Sequence, residues 1–271
     1  MRLSEGTAVV LFDMDGTLYQ DFDFHRNYLR YLLRGTDCED LTEDVVALAD
    51  GVLSRGALPM NRFYRVCRPG RPKSPAELLA RLRENMVEEL PFARCYREGL
   101  GDLRFLGDPW EVAVYIAAAL GTPERCGEAA FLRVRAEMEE TALRADPALL
   151  ALLEALRERY VTVLLSNSPE ASAAGFIDRL GLSGAFSHVL YNAGKPLGLF
   201  ENLRRGPGLA GVRGEQVLSV GDHAFNEIVN VHLAGGRTVW MNPYAPAPQI
   251  PCTRSVGSLE ELMALLQKEL L

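Results

Sequence analysis

The 271-residue sequence predicts an α/β fold, a doubly wound, Rossmann-like parallel sheet interrupted after its first strand by an all-helical insert. Residues 8–12 form an apolar run that is typical of a strand buried on both faces. From about residue 160 onward, apolar runs alternate with amphipathic segments, as in a parallel sheet with crossover helices. Between these two regions, apolar residues recur at helical spacing.

The insert is predicted to be helical throughout residues 19–145. Two capping boxes with proline at the first helical position begin at Ser74 and Asp108, and each predicts the start of a helix. The predicted helices of the insert span residues 20–34, 42–55, 75–90, 112–120 and 122–143.

The rest of the chain predicts the sheet. The predicted strands span residues 161–165, 187–191, 216–220 and 237–241, and a helix follows or precedes each of them. The predicted helices span residues 147–160, 169–180, 197–205, 224–234 and 259–271. A proline-rich loop at 243–251 follows the last predicted strand.

Composition limits the partners to be expected. The net charge of −7 gives no reason to expect binding to nucleic acid or to an anionic membrane, and no apolar run is long enough to span a bilayer. The five cysteines are scattered without a Cys-x-x-Cys pair, which favours a reducing compartment over a disulfide framework. The first strand begins within eight residues of Met1, so no signal peptide is expected. A cytoplasmic protein is therefore expected, while the oligomeric state stays open.

The first strand ends at two aspartates one residue apart, Asp13 and Asp15, followed by glycine and threonine. An aspartate can act as a nucleophile toward phosphorus, and a second carboxyl group can protonate the leaving oxygen and then activate water. A magnesium ion prefers carboxylate and phosphate oxygens and would offset the repulsion between the two acids. The alternative is an ordinary acidic turn after a strand.

The segment Asp13-Met14-Asp15-Gly16-Thr17-Leu18 resembles the first motif of the haloacid dehalogenase (HAD) superfamily of aspartate-nucleophile phosphatases. In that superfamily, an aspartate at the position of Asp15 marks the phosphoryl-transfer members, whereas the dehalogenases carry an aromatic residue there. The resemblance implies a catalytic core formed by residues 1–18 and 146–271. It also implies that residues 19–145 are a cap domain that closes on the substrate.

Two further motifs follow later strands. Ser166 and Asn167 end the strand at 161–165, where a hydroxyl and the N–H groups of a helix N-terminus can bind phosphate, although a simple helix cap is the alternative. Lys195 begins a Lys-Pro-x-Gly-x-Phe segment, and it is one of three lysines beside 26 arginines. The resemblance implies that Ser166 and Asn167 bind phosphate and that Lys195 acts as a catalytic, phosphate-binding cation. Gly198 replaces the second proline of the family pattern and is expected to loosen this loop.

The fourth motif ends the strand at 216–220. Asp222 follows Gly221 and is expected to face Asp13 across the sheet edge, as a further oxygen ligand for magnesium. The resemblance then places a second acid at Glu227, where the family commonly has aspartate, and its role is left open between binding the metal through water and orienting Lys195. His223 is interpreted as a residue of the first helical turn and not as a catalyst.

Together, these motifs lead to the expectation of a Mg²⁺-dependent phosphatase that acts on a small phosphorylated metabolite. Asp13, Asp15 and Lys195 are the expected catalytic residues, and Asp13, Asp222 and the carbonyl of Asp15 are the expected metal ligands. The alternatives are a sugar phosphomutase with the same first steps, and a non-catalytic protein on the same scaffold. A phosphonatase would need a Schiff-base lysine in the cap, and Lys73 is the one lysine there.

Two features of the insert are open to more than one interpretation. Arg62, Arg65 and Arg68 recur at three-residue spacing before Arg71 and Lys73, which suits either an anion-binding stripe or, preferably, a solvated helical face. The aromatic residues at the start of the insert suit either a nucleotide base or a helix core; they are Phe22, Phe24 and Tyr28.

Overall fold

The computed structural model describes residues 2–20, 23–66, 69–123, 125–140, 144–244 and 249–271. It divides into two compact units. The core unit comprises Met1–Gln20, Thr141–Pro243 and Gln249–Leu271, and the insert unit comprises Asp21–Glu140 and Tyr244–Pro248.

The regular elements of the described residues are named in chain order. The strands are β1 (Val9–Phe12), β2 (Phe63–Arg65), β3 (Met86–Val87), β4 (Leu103–Phe105), β5 (Val161–Leu165), β6 (His188–Leu190), β7 (Val217–Gly221), β8 (Arg237–Met241) and β9 (Arg254–Val256). The α-helices are α1 (Phe24–Leu33), α2 (Thr42–Arg55), α3 (Pro75–Glu84), α4 (Phe92–Glu98), α5 (Pro109–Ala119), α6 (Arg125–Glu140), α7 (Pro147–Arg157), α8 (Glu170–Leu180), α9 (Leu199–Arg205), α10 (Val229–Leu233) and α11 (Leu259–Leu270). In the part of the chain that is described, none of these helices is long and apolar enough to cross a membrane.

The core unit is built on a six-stranded parallel sheet in the order β6-β5-β1-β7-β8-β9, which confirms the predicted α/β class. Strand β1 lies between β5 and β7, with Phe12 opposite both Leu164 and Val220. The carboxyl ends of these three strands therefore meet at one edge, where parallel α/β sheets bind their ligands. The prediction that 237–241 is the last strand is wrong, because β9 pairs with β8 beyond the proline-rich loop. Three residues are too few for β9 to show a periodic pattern.

The central strands are buried on both faces, as their continuous apolar runs predict. Every residue of β1, β7 and β8 is buried. On one face, Leu11 and Val163 pack with residues from the loop and helices that cover the sheet, including Leu199 and Val231. This packing fixes the strand ends from which the polar motifs project.

In the insert unit, helix α1 packs against α2, α5 and α6. Phe24 stacks on Trp110 with ring centroids 4.0 Å apart, and Tyr28 meets the same indole edge-on at 4.9 Å. Both residues are buried, so of the two interpretations they belong to a helix core. Phe22 lies outside the described residues.

The expectation of an all-helical insert is wrong. An antiparallel sheet in the order β3-β2-β4 lies within the insert unit, and Phe63 of β2 pairs with Val87 and with Phe105. These strands have two or three residues each, below the length at which alternation is visible. Helix α3 also ends at Glu84 and not near residue 90. Just after Glu84, the Asn85 side chain donates a hydrogen bond to the Arg81 carbonyl oxygen.

The arginine stripe does not form a helical face. Arg65 lies on β2 and not on a helix, and its guanidinium group is 3.3 Å from Asp102. Arg71 forms a two-pronged contact with Asp40, at 2.8 Å and 2.5 Å. Arg68 lies outside the described residues. Two of these cations are therefore already neutralised by acids of the insert unit.

The core packing predicts a large cost for truncating β1. Leu11 is 2% exposed, and Leu11→Ala is expected to lower the free energy of unfolding of the core unit by about 2–5 kcal/mol, through lost burial and a residual cavity. Leu233→Ala is the matched control, because Leu233 is 54% exposed in the same unit, and a change within about 0.5 kcal/mol is expected. Urea unfolding followed by Trp240 fluorescence in a Trp110→Phe background measures both. Equal destabilisation by the two variants would contradict this account of the core.

Candidate active site

Three strands of the core unit end side by side and present polar residues at one edge. Asp13 follows β1, Ser166 follows β5, and Asp222 follows β7. The backbone extends the pairing by one residue, since the N–H of Asp13 donates to the Val220 carbonyl oxygen at 2.9 Å. The predicted convergence of the first, second and fourth motifs at this edge is thus what the sheet order produces.

Asp13 is held by a buried ammonium group. The Nζ of Lys195 lies 2.6 Å from the Oδ1 of Asp13, and the Thr17 hydroxyl lies 3.4 Å from the Oδ2. Burial raises the pKa of Asp13 above its ordinary value, and the charge of Lys195 opposes that rise. The result is a carboxylate that is shielded from water yet paired with a cation on one of its two oxygens.

Lys195 makes a second contact, with Glu227. Its Nζ lies 2.9 Å from the Oε1 of Glu227, and the Lys195 side chain is 3% exposed. Burial alone would lower the pKa of Lys195, but Asp13 and Glu227 outweigh it, and the pKa is raised above its usual range. The ammonium group is therefore charged and held between two carboxylates.

Glu227 is fixed from its other oxygen as well. The backbone N–H of His223 donates to its Oε2 at 2.9 Å. Burial raises the pKa of Glu227 to about 8, with Lys195 acting in the opposite direction. Of the two roles left open for this residue, the structure shows the contact that orients Lys195.

The same carboxylates form an acidic cluster. One oxygen each of Asp13, Asp222 and Glu227 lies within 4.8 Å of the others. Carboxylate oxygens gathered this closely are the ligands that a hard divalent cation prefers. The donor set thus fits magnesium, and Asp13 and Glu227, whose pKa values are raised by burial, are groups that a cation would favour in their charged form.

Two glycines allow this crowding of carboxylates. A Cβ on Gly16 would lie 2.2 Å from the Oδ2 of Asp222, and Gly16 has φ +76, a region that glycine adopts readily. A Cβ on Gly221 would lie 2.5 Å from the Oε2 of Glu227. The indole N–H of Trp240 donates to the Asp222 backbone oxygen at 2.9 Å and fixes that residue from the adjacent strand.

Ser166 and Asn167 lie at the end of β5, but their side chains form hydrogen bonds with different parts of the chain. Ser166 is 3% exposed, and its Oγ accepts the N–H of Ser168 at 3.1 Å. The Asn167 amide contacts both backbone polar groups of Lys195, accepting from its N–H at 2.7 Å and donating to its oxygen at 3.3 Å. Sequence reasoning missed this clamp because the two residues are 28 positions apart and no spacing rule connects them.

The Lys195 loop is tied down and not loose, which corrects the expectation based on Gly198. The Asn230 side chain donates to the Pro196 oxygen at 2.7 Å, and that of Asn202 donates to the Ala193 oxygen at 2.8 Å. A Cβ on Gly198 would lie 2.9 Å from that same Ala193 oxygen. The glycine is thus required by close packing, and asparagine side chains supply the stiffness that a second proline would have given.

His223 has the structural role that was predicted, in a modified form. Its Nδ1 accepts the N–H of Asn226 at 3.2 Å and so caps a turn of π-helix at Ala224–Ile228, which continues into α10. The single helix predicted over residues 224–234 is therefore two elements. Glu227 lies on the π-helical turn, a geometry that recurs at functional sites.

Asp15 makes a contact that the motifs did not predict. Its Oδ1 accepts a hydrogen bond from the hydroxyl of Tyr19, four residues later. Asp15 and Tyr19 also form an isolated β-bridge. The carboxyl group of Asp15 thus has a neutral donor where Asp13 has a cation.

Because burial raises the pKa of Glu227, we expect the metal-free protein to become less stable as the pH rises. A carboxyl group whose pKa is about 8 when folded and ordinary when unfolded binds its proton more tightly in the folded chain. Its stabilising contribution is complete at pH values below the ordinary pKa and is lost as the pH rises through 8, at up to about 1.4 kcal/mol per pH unit.

Urea unfolding in EDTA between pH 5.5 and 8 measures this slope. Glu227→Gln is expected to flatten it, because glutamine carries no titrating proton. Glu269→Gln is the control, since the pKa of Glu269 is lowered and that group titrates below the window. An unchanged slope in Glu227→Gln would contradict the assignment.

The comparisons with known proteins bear on the fold and the family. The chain resembles in structure a putative HAD-hydrolase, YfnB from Bacillus subtilis, which is described as bound to magnesium. The TM-score is 0.54 and the sequence identity is 19%, and the match covers 96% of this chain and 98% of that one. It also resembles the L-2-haloacid dehalogenase RSc1362, with a TM-score of 0.52, 19% identity and coverage of 96% and 99%. At such identities these similarities establish the fold alone, and a search of curated proteins finds no match.

The family model is more specific. The model of the haloacid dehalogenase-like hydrolases matches residues 7–226. The match includes Asp13 and Asp15, which follow the first strand, and also Ser166, Lys195 and Asp222, and it ends one residue before Glu227. The chain belongs to the haloacid dehalogenase-like hydrolase family.

Proposed function

We propose that this hydrolase is a magnesium-dependent phosphatase that removes phosphate from a small phosphorylated metabolite through an aspartyl-phosphate on Asp13. The observation that carries the proposal is the buried contact of 2.6 Å between Asp13 and Lys195, beside a second acid, Asp15, two residues later. A carboxylate paired on one oxygen keeps the other for attack. A second carboxyl group at this position can supply the proton that an alkoxide leaving group needs.

In the proposed reaction, an oxygen of Asp13 forms a bond to phosphorus while the bond from phosphorus to the leaving oxygen breaks. Asp15 gives its proton to that leaving oxygen. It then takes a proton from the water that attacks the acyl phosphate, which releases inorganic phosphate and restores Asp13. Each proton that leaves Asp15 in the first half is thus recovered in the second.

The developing charge is met by fixed groups. Lys195 and the Ser166 hydroxyl would bind the non-bridging oxygens of phosphate, together with the backbone N–H of Asn167. The amide of Asn167 holds the backbone of Lys195 from both sides, and Glu227 holds its ammonium group. We infer that these two residues act by keeping the cation in place, which spares the reaction the cost of ordering it.

Magnesium would be held by Asp13, Asp222 and the backbone carbonyl of Asp15. When bound, it supplies positive charge next to the transferring phosphoryl group. The acidic cluster of Asp13, Asp222 and Glu227 supports this assignment, because carboxylate oxygens within 4.8 Å of one another are the ligands that magnesium prefers.

Dehalogenation is the competing activity within the family, since a dehalogenase is among the similar folds. Asp15 argues against it, because the resemblance places an aromatic residue there in dehalogenases. A phosphonatase is disfavoured since Lys73 lies in a loop ahead of α3, where its N–H donates to Glu77. A phosphomutase shares the first half-reaction, and a binding protein without activity would be expected to lack some of the acids that this chain retains.

The proposal predicts that hydrolysis of p-nitrophenyl phosphate requires both Asp13 and magnesium. Asp13→Asn and Asp222→Asn are each expected to lower kcat/KM at least about a hundredfold, by removing the nucleophile and a metal ligand. EDTA should abolish wild-type turnover and added Mg²⁺ should restore it. Asp178→Asn, at an exposed position of α8 in the same unit, is the control expected to match wild type.

The same assay separates the alternatives. Full activity of wild type in EDTA would contradict the metal assignment. Chloride release from a 2-chloro acid without phosphate release from any ester would contradict the phosphatase proposal and favour dehalogenation. Transfer of phosphate between sugar hydroxyls, seen by product analysis, would favour the mutase. No turnover across a broad panel of phosphate esters would favour the binding protein.

A further inference from the structure

The hydroxyl of Tyr19 contacts the one acid of the first motif that Lys195 does not hold. Its O–H donates to the Oδ1 of Asp15. Nothing in the motif predicts this tyrosine, which follows the family-like segment at position 19. Because Asp13 is paired with an ammonium group and Asp15 with a phenol, the two carboxyl groups have partners of different charge.

Packing contacts within the core unit fix the position of the Tyr19 hydroxyl. Tyr19 is 4% exposed, and its ring packs edge-on against Phe176 of α8, with centroids 5.0 Å apart. The intervening turn is closed by a hydrogen bond from the Leu18 N–H to the Met14 oxygen at 3.0 Å. The β-bridge between Asp15 and Tyr19 sets the two backbones side by side. A hydroxyl donor fixed in this way can hold a carboxyl group in one orientation, and the donor need not move during the reaction.

We propose that Tyr19 is a positioning residue that fixes Asp15 as the general acid and base of the reaction. This inference rests on the proposed function. The phenol donates to Oδ1 and holds the Asp15 carboxyl group in one orientation. As the bond between phosphorus and the leaving oxygen breaks, the proton of that carboxyl group passes to the leaving oxygen, and in the second half-reaction the carboxylate takes a proton from the attacking water. The phenol keeps its own proton throughout and adds no charge to the site.

A proton donor matters in proportion to how poorly the leaving group departs. A group that leaves readily as an anion needs little help, whereas a basic leaving oxygen depends on the acid. Loss of a positioning contact should therefore make kcat/KM depend more steeply on the basicity of the leaving group. A purely structural defect would slow every substrate by the same factor.

The test compares wild type and Tyr19→Phe on p-nitrophenyl, p-chlorophenyl and phenyl phosphate, with magnesium present, by kcat/KM. This parameter reports the steps up to transfer of phosphate to Asp13. For phenyl phosphate, the variant is expected to lose about tenfold or more, and for p-nitrophenyl phosphate less than about threefold. Tyr160→Phe is the matched control, since it removes a partly buried hydroxyl that donates to the Leu270 oxygen in the same unit, and it should show no such trend.

A double-mutant cycle with Asp15→Asn keeps the result interpretable. If Tyr19 acts through Asp15, Tyr19→Phe should cause no further loss in the Asp15→Asn background. Thermal unfolding of each variant verifies that it is folded. An equal loss for all three esters, no loss for any, or full additivity with Asp15→Asn would overturn the positioning role. Wild type inactive on all three esters and on a wider panel would instead contradict the proposed function itself, and this inference with it.

Discussion

The site depends on one buried cation. Lys195 places its ammonium group 2.6 Å from Asp13 and 2.9 Å from Glu227, with its side chain 3% exposed. Removing such a charge from water is costly, and the two carboxylates repay that cost only if the geometry is kept. The clamp of Asn167 on the Lys195 backbone, the hydrogen bond from Asn230 to Pro196 and the close packing at Gly198 all serve that geometry. Without the ammonium group, Asp13 and Glu227 would lose the cation that both of them contact.

The rest of the architecture brings the partners of this cation together. Because β1 lies between β5 and β7 and all three are parallel, their following residues share one edge. Gly16 and Gly221 leave room for the carboxylates of Asp222 and Glu227 to approach the backbone. The π-helical turn carries Glu227 to Lys195. Glutamate at position 227 is longer than the aspartate that the family commonly has there. It fits the cluster because its two oxygens have separate donors, Lys195 and the His223 N–H.

Sequence reasoning was sufficient for the parallel sheet and for the residues at its edge, for a physical reason. Long apolar strands are visible as runs, and the side chains that follow parallel strands necessarily converge. It was not sufficient for β2, β3, β4 and β9, which have two or three residues each and owe their pairing to tertiary context. It also missed Asn167 and Tyr19 as partners of Lys195 and Asp15. An asparagine at a strand end is equally typical of a helix cap, and a tyrosine next to a leucine is equally typical of a hydrophobic core.

The proposed function depends on phosphorylation of Asp13, and direct detection of the aspartyl-phosphate tests it. The protein would be mixed with p-nitrophenyl phosphate and Mg²⁺, quenched rapidly in acid, digested and analysed by mass spectrometry. The expected result is a phosphoryl group on the peptide that contains Asp13, at a higher level in Asp15→Asn, where water is not activated, and none in Asp13→Asn. Sustained phosphate release with no label on Asp13 at any quench time, or with label on another residue, would contradict the aspartyl-phosphate mechanism.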